Sequence, residues 1–286
     1  MKQKKTELIN WNEYLFRCSS LSNITATGRG AEITAKQKEE LAMLTSKIKL
    51  TEKQAQRRDE LVAKMDRKPE LSKGAKTYLQ SLWKEETFQR PKDITNKFML
   101  KGIEVEGETM HLVNEVLGWK YDFLTIEKMH LRKERLANDY ISGEPDVISY
   151  DNNHIADIKS SWDVHTFPLF EDKVNADYYA QGQGYLWLTG LDNYELCYGV
   201  VDTPEKFIND KIRKTTWDMD YIDIPQEDEE LIRRCMTFDD IEKRIRVRVF
   251  KFQRDDEYIK KIEQCVKMAR EYLMELNEII TKRLKS

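Results

Sequence analysis

The chain has 286 residues, 48 Lys and Arg against 51 Asp and Glu, and a net charge of −3. That length can bury a proper core, and 6 Trp, 13 Tyr and 10 Phe need one, which excludes a disordered chain. A pI near 6.0 excludes a generally basic, histone-like DNA coat, but it leaves room for an enzyme whose positive charge lines a single cleft. No stretch approaches the ~18 apolar residues of a bilayer span. The basic start Met1–Lys5 reaches the polar Asn12 and Glu13 without an apolar signal core. A soluble, cytoplasmic protein without membrane contact is expected. The cysteines, Cys18, Cys197, Cys235 and Cys265, are too dispersed for a zinc site or an iron–sulfur cluster and read as four buried, reduced thiols. No Gly-rich phosphate loop is present, so a nucleotide-hydrolysing motor is not indicated.

Residues 6–28 form an aromatic-rich segment (Trp11, Tyr14, Phe16) that ends in the polar run Ser19-Ser20-Leu21-Ser22. From about Glu32 to Lys68 the composition shifts to Lys, Glu, Gln and Arg with sparse aliphatics. Here Ile33-Thr34-Ala35-Lys36-Gln37 recurs as Leu50-Thr51-Glu52-Lys53-Gln54. In each copy Thr precedes Gln by three residues, the capping-box signature of a helix start. Leu44 and Leu61 each follow their Thr by ten residues. The pattern predicts two antiparallel helices in a projecting hairpin, which as a solvated insertion needs no chemistry of its own. A third helix, over about Lys73–Gln89, carries Ala75, Tyr78, Leu79 and Leu82 on one stripe.

Residues 98–202 differ in kind. They read as a helix (103–117), a mixed connection, a hairpin (146–160), a helix (176–189) and a strand (Tyr194–Val201), an alternation that predicts an α/β core with a mixed sheet. An acidic connector (Asp223–Glu230) leads to the run Arg244-Ile-Arg-Val-Arg-Val-Phe. Strand alternation there puts Arg244, Arg246 and Arg248 on one face. A C-terminal helix, Asp255 to about Arg283, has Ile259, Ile262, Val266, Ala269, Leu273, Leu276 and Ile280 at helical spacing.

The strongest chemical signal is Glu144-Pro145-Asp146, ten intervening residues, then Asp157-Ile158-Lys159. Two strands around the turn Asp151-Asn152-Asn153 would point Asp157 and Lys159 to one face. A two-residue turn would set Asp146 opposite Asp157, with Cβ atoms about 5 Å apart. Carboxylates that close repel unless a cation or a proton lies between them, and hard oxygen ligands suit Mg²⁺. An ordinary charged surface hairpin is the plain alternative. Two further features favour chemistry. Glu106, in the first turn of the 103–117 helix, shares the apolar stripe of Met110, Val113 and Leu117, so its carboxylate needs a buried partner. His111, on the opposite face with Glu104, Glu108 and Glu115, reads as solvated. In Ala180-Gln181-Gly182-Gln183-Gly184-Tyr185, Gln181 and Tyr185 are i,i+4 neighbours. The two glycines each cost about 1 kcal/mol against alanine in a helix, which implies close helix–sheet packing or close approach of a ligand backbone.

In order and spacing, Glu106, Asp146, Asp157-x-Lys159 and Gln181-x-x-x-Tyr185 resemble the PD-(D/E)XK nucleases, most of all the lambda-exonuclease-like branch of viral recombination exonucleases, with RecB-type domains as cousins. The resemblance covers residues 10–25 and 98–205. It implies a restriction-endonuclease-like α/β core, here a single nuclease domain over 1–286. Its parts would be a helical insertion at 32–90, a catalytic core at 98–205 and a C-terminal helix at 255–284. Carried over residue by residue, Asp146 and Asp157 would bind metal with the Ile158 carbonyl, Glu106 would serve a second metal, Lys159 would serve the nucleophilic water, and Gln181 and Tyr185 would support the site. Arg17 with Ser19 and Ser20 resembles the segment that holds a terminal 5′-phosphate, although a helix cap explains these serines equally well. Asp157 stands where most relatives have Glu, and the 32–68 hairpin has no counterpart in the pattern.

The resemblance implies a Mg²⁺-dependent deoxyribonuclease, with Mn²⁺ able to substitute, that degrades double-stranded DNA ends 5′ to 3′ in phage-type recombination. It also implies a single-strand annealing partner and a homotrimeric ring. An endonuclease or structure-specific nuclease on the same scaffold, a non-catalytic DNA-binding protein and a helical scaffold protein are the alternatives. DNA contact is expected from Arg132/Lys133/Arg135, from Lys211/Arg213/Lys214 and from the face of Arg244, Arg246 and Arg248.

Overall fold

The structure, a computed structural model, describes residues 9–26, 33–66, 69–92 and 97–285. The basic start Met1–Lys5 and the ends of the charged hairpin at 32 and 67–68 lie outside the described residues. In chain order the elements begin with β1 (Phe16–Arg17), α1 (Leu21–Thr25), α2 (Ala35–Ser46), α3 (Glu52–Met65) and α4 (Lys73–Phe88). Next come α5 (Lys97–Leu117), α6 (Phe123–Leu131), β2 (Leu136–Ala137), β3 (Ile141–Gly143), β4 (Val147–Ser149) and β5 (His154–Ser160). The chain ends with α7 (Ala176–Thr189), β6 (Asn193–Gly199), α8 (Glu205–Asp218), α9 (Gln226–Arg234), β7 (Val247–Gln253) and α10 (Asp256–Lys285).

The chain divides into two compact units, one of residues 1–16, 20–91 and 260–286, the other of 17–19 and 92–259. The first is helical. Both capping boxes form: Thr34 and Thr51 accept from the backbone N–H of Gln37 and Gln54, whose side chains reach back to the cap N–H. Leu41, Leu44 and Leu61 make the small core that holds α2 against α3. In α4, Ala75, Leu79 and Leu82 are buried as their spacing predicts, and Ser72 caps the helix. Ile262, Val266, Ala269 and Leu273 form the buried stripe of α10. Arg270 donates to the Tyr14 carbonyl at 2.9 and 3.1 Å, and Trp83 Nε1 donates to Asn277, so the N-terminal segment and α4 are both stitched to α10.

The second unit is built on a mixed sheet of order β4-β5-β6-β7, in which β5 and β6 run parallel and the outer pairs antiparallel. Parallel neighbours need a long crossover, usually a helix. That helix is α7, capped by Asn175 at its start and by left-handed Gly190 (φ 74°) at its end. On the other side, Met110 and Val113 of α5 pack with Val147, Ala156, Ile158 and Cys197 of the sheet. Gly182 faces Phe252 and Tyr194 so closely that a Cβ there would lie 2.5 Å from the Phe252 ring. Close helix–sheet packing is therefore the reason for this glycine. In the same unit β2 and β3 pair antiparallel just before Glu144-Pro145-Asp146.

Three expectations need correction. First, α5 starts at Lys97, which puts Glu106 well inside the helix and removes any first-turn dipole effect. The extra turn is fixed by Lys101, 1% exposed, whose ammonium donates to the Trp162 carbonyl at 2.7 Å. Second, Arg244-Ile245-Arg246 belong to a 3-10 turn, not to a strand. The register with β6 ends at Gly199↔Val247, the Arg246 carbonyl accepts one last bond from the Val200 N–H at 3.0 Å, and the residues before it close on themselves through Ile245 N–H to the Glu242 carbonyl. Third, Cys18, Cys197 and Cys265 are buried, but Cys235 is exposed at the end of α9, a helix with no buried residue.

Candidate active site

The β4–β5 register pairs Val147 with Ala156, Ile148 with Ile155 and Ser149 with His154. It closes through Tyr150 and Asn153, whose N–H donates to the Tyr150 carbonyl and whose φ of 52° completes the two-residue turn. Extending that register by one rung sets Asp146 against Asp157. Asp146 is anchored across the rung: its Oδ2 accepts from the Ile158 N–H at 2.6 Å. Both carboxylates are buried, Asp146 7% and Asp157 1% exposed. Burial, reinforced by the negative charge of Asp146 and opposed by Lys159, holds the Asp157 carboxyl above the usual carboxylate range.

Lys159 Nζ pairs with Asp157 Oδ2. The carboxylate pulls the ammonium pKa up against the opposing effect of its burial. The Tyr178 ring faces the same ammonium at 5.2 Å, and Tyr198 meets Tyr178 edge-on. Gln181, 7% exposed, donates through Nε2 to the Tyr185 hydroxyl at 3.0 Å, which in turn donates to the Glu144 carbonyl at 3.3 Å. This relay ties α7 to the residue two before Asp146. Next to it, Gly143 admits Tyr185 and Cys18, whose Sγ would lie 2.8 Å from a Cβ at that position. Arg17 and Ser19, which flank Cys18, are exposed. Ser20 caps α1 by position only, since its side chain makes no cap hydrogen bond.

Glu106 lies beside the pair. Its Oε1 is 2.6 Å from Lys133 Nζ and 3.3 Å from His130 Nδ1, and the same Lys133 Nζ is 2.6 Å from Asp146 Oδ1. The two carboxylates hold the Lys133 pKa up although burial opposes them. Sequence reasoning placed Lys133 in a DNA-contacting cluster and did not mark His130 at all. Their signal is faint: one basic residue in the last turn of a short helix and one just past it, both meeting a carboxylate 24 or more positions earlier in the chain. Arg135, from the same cluster, pairs with Glu144 at 2.7 Å. His111, read as solvated, is half-buried, 3.1 Å from Glu127 and stacked on Phe123.

The basic face expected from Arg244, Arg246 and Arg248 does not form as such. Arg246 is buried beside Asp239, Arg248 donates to the Glu171 carbonyl at 2.8 Å, and only Arg244 is exposed. On α8, Lys211, Arg213 and Lys214 are exposed, with Arg213 paired to Asp210.

Among the described residues, no three Asp, Glu, His or Cys side chains close into a ready metal cage. The donor chemistry nevertheless fits a hard divalent cation. Asp157 Oδ2 is buried and accepts no aligned hydrogen bond, Asp146 is its neighbour across the rung, and Glu106 shares the Lys133 ammonium with Asp146. Mg²⁺ needs only one or two carboxylates, the rest of its shell coming from water and substrate phosphate.

The fold has counterparts among solved structures. A phage-related exonuclease from Haemophilus somnus matches with a TM-score of 0.65 at 23% identity, over 94% of this chain and 97% of that one. The chain shares the fold of that exonuclease. An alkaline exonuclease from Laribacter hongkongensis matches with a TM-score of 0.52 at 12% identity, over 96% and 97% of the two chains. No family model matches the chain, and no curated protein does. The α/β architecture with a mixed sheet, expected from the alternation over residues 98–202, is thus present, and the likeness extends over nearly the whole chain. Among the described residues, no helix is long and apolar enough to cross a membrane.

Proposed function

We propose that the protein is a divalent-metal-dependent deoxyribonuclease that degrades double-stranded DNA from its ends, 5′ to 3′. The observation that carries this reading is the hairpin rung that sets Asp146 against Asp157 with Lys159 on the same strand face. An exonuclease fold around it supports the choice of substrate. Asp146 and Asp157, with the Ile158 carbonyl, would hold one ion, and Glu106 would serve a second. Bound there, Mg²⁺ supplies Lewis-acid stabilisation of phosphoryl oxygens and a water of lowered pKa.

The chain's own groups have distinct tasks. Asp157 and the Tyr178 ring hold the Lys159 ammonium at the mouth of the pair, where it stabilises charge on a phosphate under attack and orients the incoming water. The Gln181–Tyr185–Glu144 relay holds the turn that delivers Asp146. Burial of Asp157 keeps bulk water from screening these charges. Arg17 and Ser19, exposed around a buried Cys18 that packs against Gly143, are suited to a terminal 5′-phosphate. A single-strand annealing partner and a ring of three copies belong to this same reading.

The test is digestion of end-labelled linear duplex carrying either 5′-phosphate or 5′-hydroxyl ends, with Mg²⁺ or with EDTA, beside closed circular DNA. The proposal expects Mg²⁺-dependent loss of linear DNA, faster from 5′-phosphate ends, and an intact circle. Cleavage of the circle would replace it with an endonuclease reading, and cleavage in EDTA would refute metal dependence.

A further inference from the structure

Lys133 lies between two of the carboxylates that would hold metal. Its Nζ is equidistant, at 2.6 Å, from Glu106 Oε1 and Asp146 Oδ1, and those two carboxylates belong to the proposed metal ligands. Its side chain is 23% exposed, against 19% for Glu106 and 6% for Asp146, so the triangle is largely withdrawn from water. A buried and a half-buried carboxylate held together need a positive charge between them, and an ammonium with three donors satisfies both. A divalent cation would satisfy the same oxygens. The two cannot share the place, because like charges a few ångströms apart repel strongly where water is scarce. Lys133 also has somewhere to go. It follows α6 in an irregular stretch, between exposed Arg132 and exposed Glu134.

We infer that Lys133 competes with the metal for the Glu106 and Asp146 carboxylates: it leaves them when the metal binds, and the released ammonium then pairs with the substrate's phosphate. This rests on the nuclease reading and adds to it a substrate-binding residue whose availability is set by metal loading. It also accounts for carboxylates arranged around a lysine, which the incoming ion replaces.

Competition lowers the apparent metal affinity by the fraction of molecules in which Lys133 has vacated the place. Removing the competing charge should recover that factor. The experiment is calorimetric titration of Mn²⁺ into the full-length protein, as wild type, Lys133→Met, Lys133→Arg and Asp146→Asn. Fluorescence binding of a 5′-phosphorylated duplex in Ca²⁺ and in EDTA, over a series of salt concentrations, accompanies it. Lys133→Met should bind Mn²⁺ more tightly than wild type by the reciprocal of the fraction of molecules open at rest, about tenfold were that fraction one in ten. Lys133→Arg, which keeps the charge, should stay within about twofold of wild type, and it covers the case in which Lys133→Met fails to fold. In Ca²⁺, Lys133→Met should lose about one unit of the logarithmic salt slope of DNA binding, the signature of one phosphate contact. In EDTA it should lose none.

Wild-type Mn²⁺ binding that Asp146→Asn abolishes but Lys133→Met leaves unchanged or weaker would overturn the inference while preserving the nuclease reading. Wild-type binding that Asp146→Asn does not alter would overturn both. Tighter Mn²⁺ binding with an unchanged salt slope would overturn the transfer to phosphate.

Discussion

The Asp146 carboxylate performs two tasks that different substitutions separate. One oxygen accepts the buried Ile158 N–H at 2.6 Å, and the other pairs with Lys133 at 2.6 Å. Asp146→Asn removes the charge but keeps an acceptor for Ile158. Asp146→Ala removes both and leaves a backbone N–H inside the unit with no partner. Both variants lose the Lys133 pair, so the difference between them isolates the orphaned N–H. That difference should be about 1–3 kcal/mol in favour of Asn, the usual cost of an unsatisfied buried donor. At roughly 2–4 °C per kcal/mol for a domain of this size, Asp146→Ala should melt several degrees below Asp146→Asn. The assay is urea or thermal unfolding in EDTA, so that no ion contributes. In Mg²⁺, neither variant should cleave DNA. Equal stability of the two variants would show that the carboxylate does not hold the rung. Cleavage by Asp146→Asn would refute its role as a ligand.

Three further outcomes follow from particular contacts. Gly182→Ala gains about 1 kcal/mol of helix propensity, but its Cβ would lie 2.5 Å from Phe252 and 2.9 Å from Tyr194, rings already stacked on each other. Overpacking at about 1–3 kcal/mol should outweigh the gain and lower DNA cleavage with it, as unfolding and cleavage assays would register; a stabilised, fully active variant would contradict the packing. Burial lowers the Lys101 pKa to about 8 from an ordinary 10.5, against the pull of Asp163, Asp202 and Glu108. The unfolded chain therefore binds a proton that the folded one has shed across that window, so the lysine's contribution makes stability rise with pH there. Comparing wild type with Lys101→Met by denaturation between pH 8 and 10.5 should show the rise only with the lysine present, and parallel curves would contradict its burial. Finally, an aromatic disulfide reagent should modify Cys235 at once and the other three thiols only after unfolding; more than one fast thiol would contradict the burial of Cys18, Cys197 or Cys265.

What the sequence reveals depends on how far its causes lie from each residue. The capping boxes at Thr34 and Thr51 act within three positions, and both form where the spacing predicts them. The β4–β5 register follows from one short turn, so the sequence alone places Asp146, Asp157 and Lys159 relative to one another. The 3.6-residue repeat likewise sets Gln181 beside Tyr185. Longer-range causes are invisible at that level. The start of α5 depends on a carbonyl 61 positions away, that of Trp162. The arginines at 244–246 leave strand geometry because a partner strand ends at Gly199. Lys133 looks like one more surface cation until folding brings Glu106 and Asp146 to either side of it.

The central claim is that Asp146, Asp157 and Lys159 form one catalytic group. It is tested most directly by cleavage of 5′-phosphorylated linear duplex in Mg²⁺ by purified Lys159→Ala, with Asp157→Asn alongside and far-ultraviolet circular dichroism and duplex binding measured on the same preparations. The account expects folded proteins that bind duplex and leave it uncut. Wild-type cleavage by folded Lys159→Ala would contradict it.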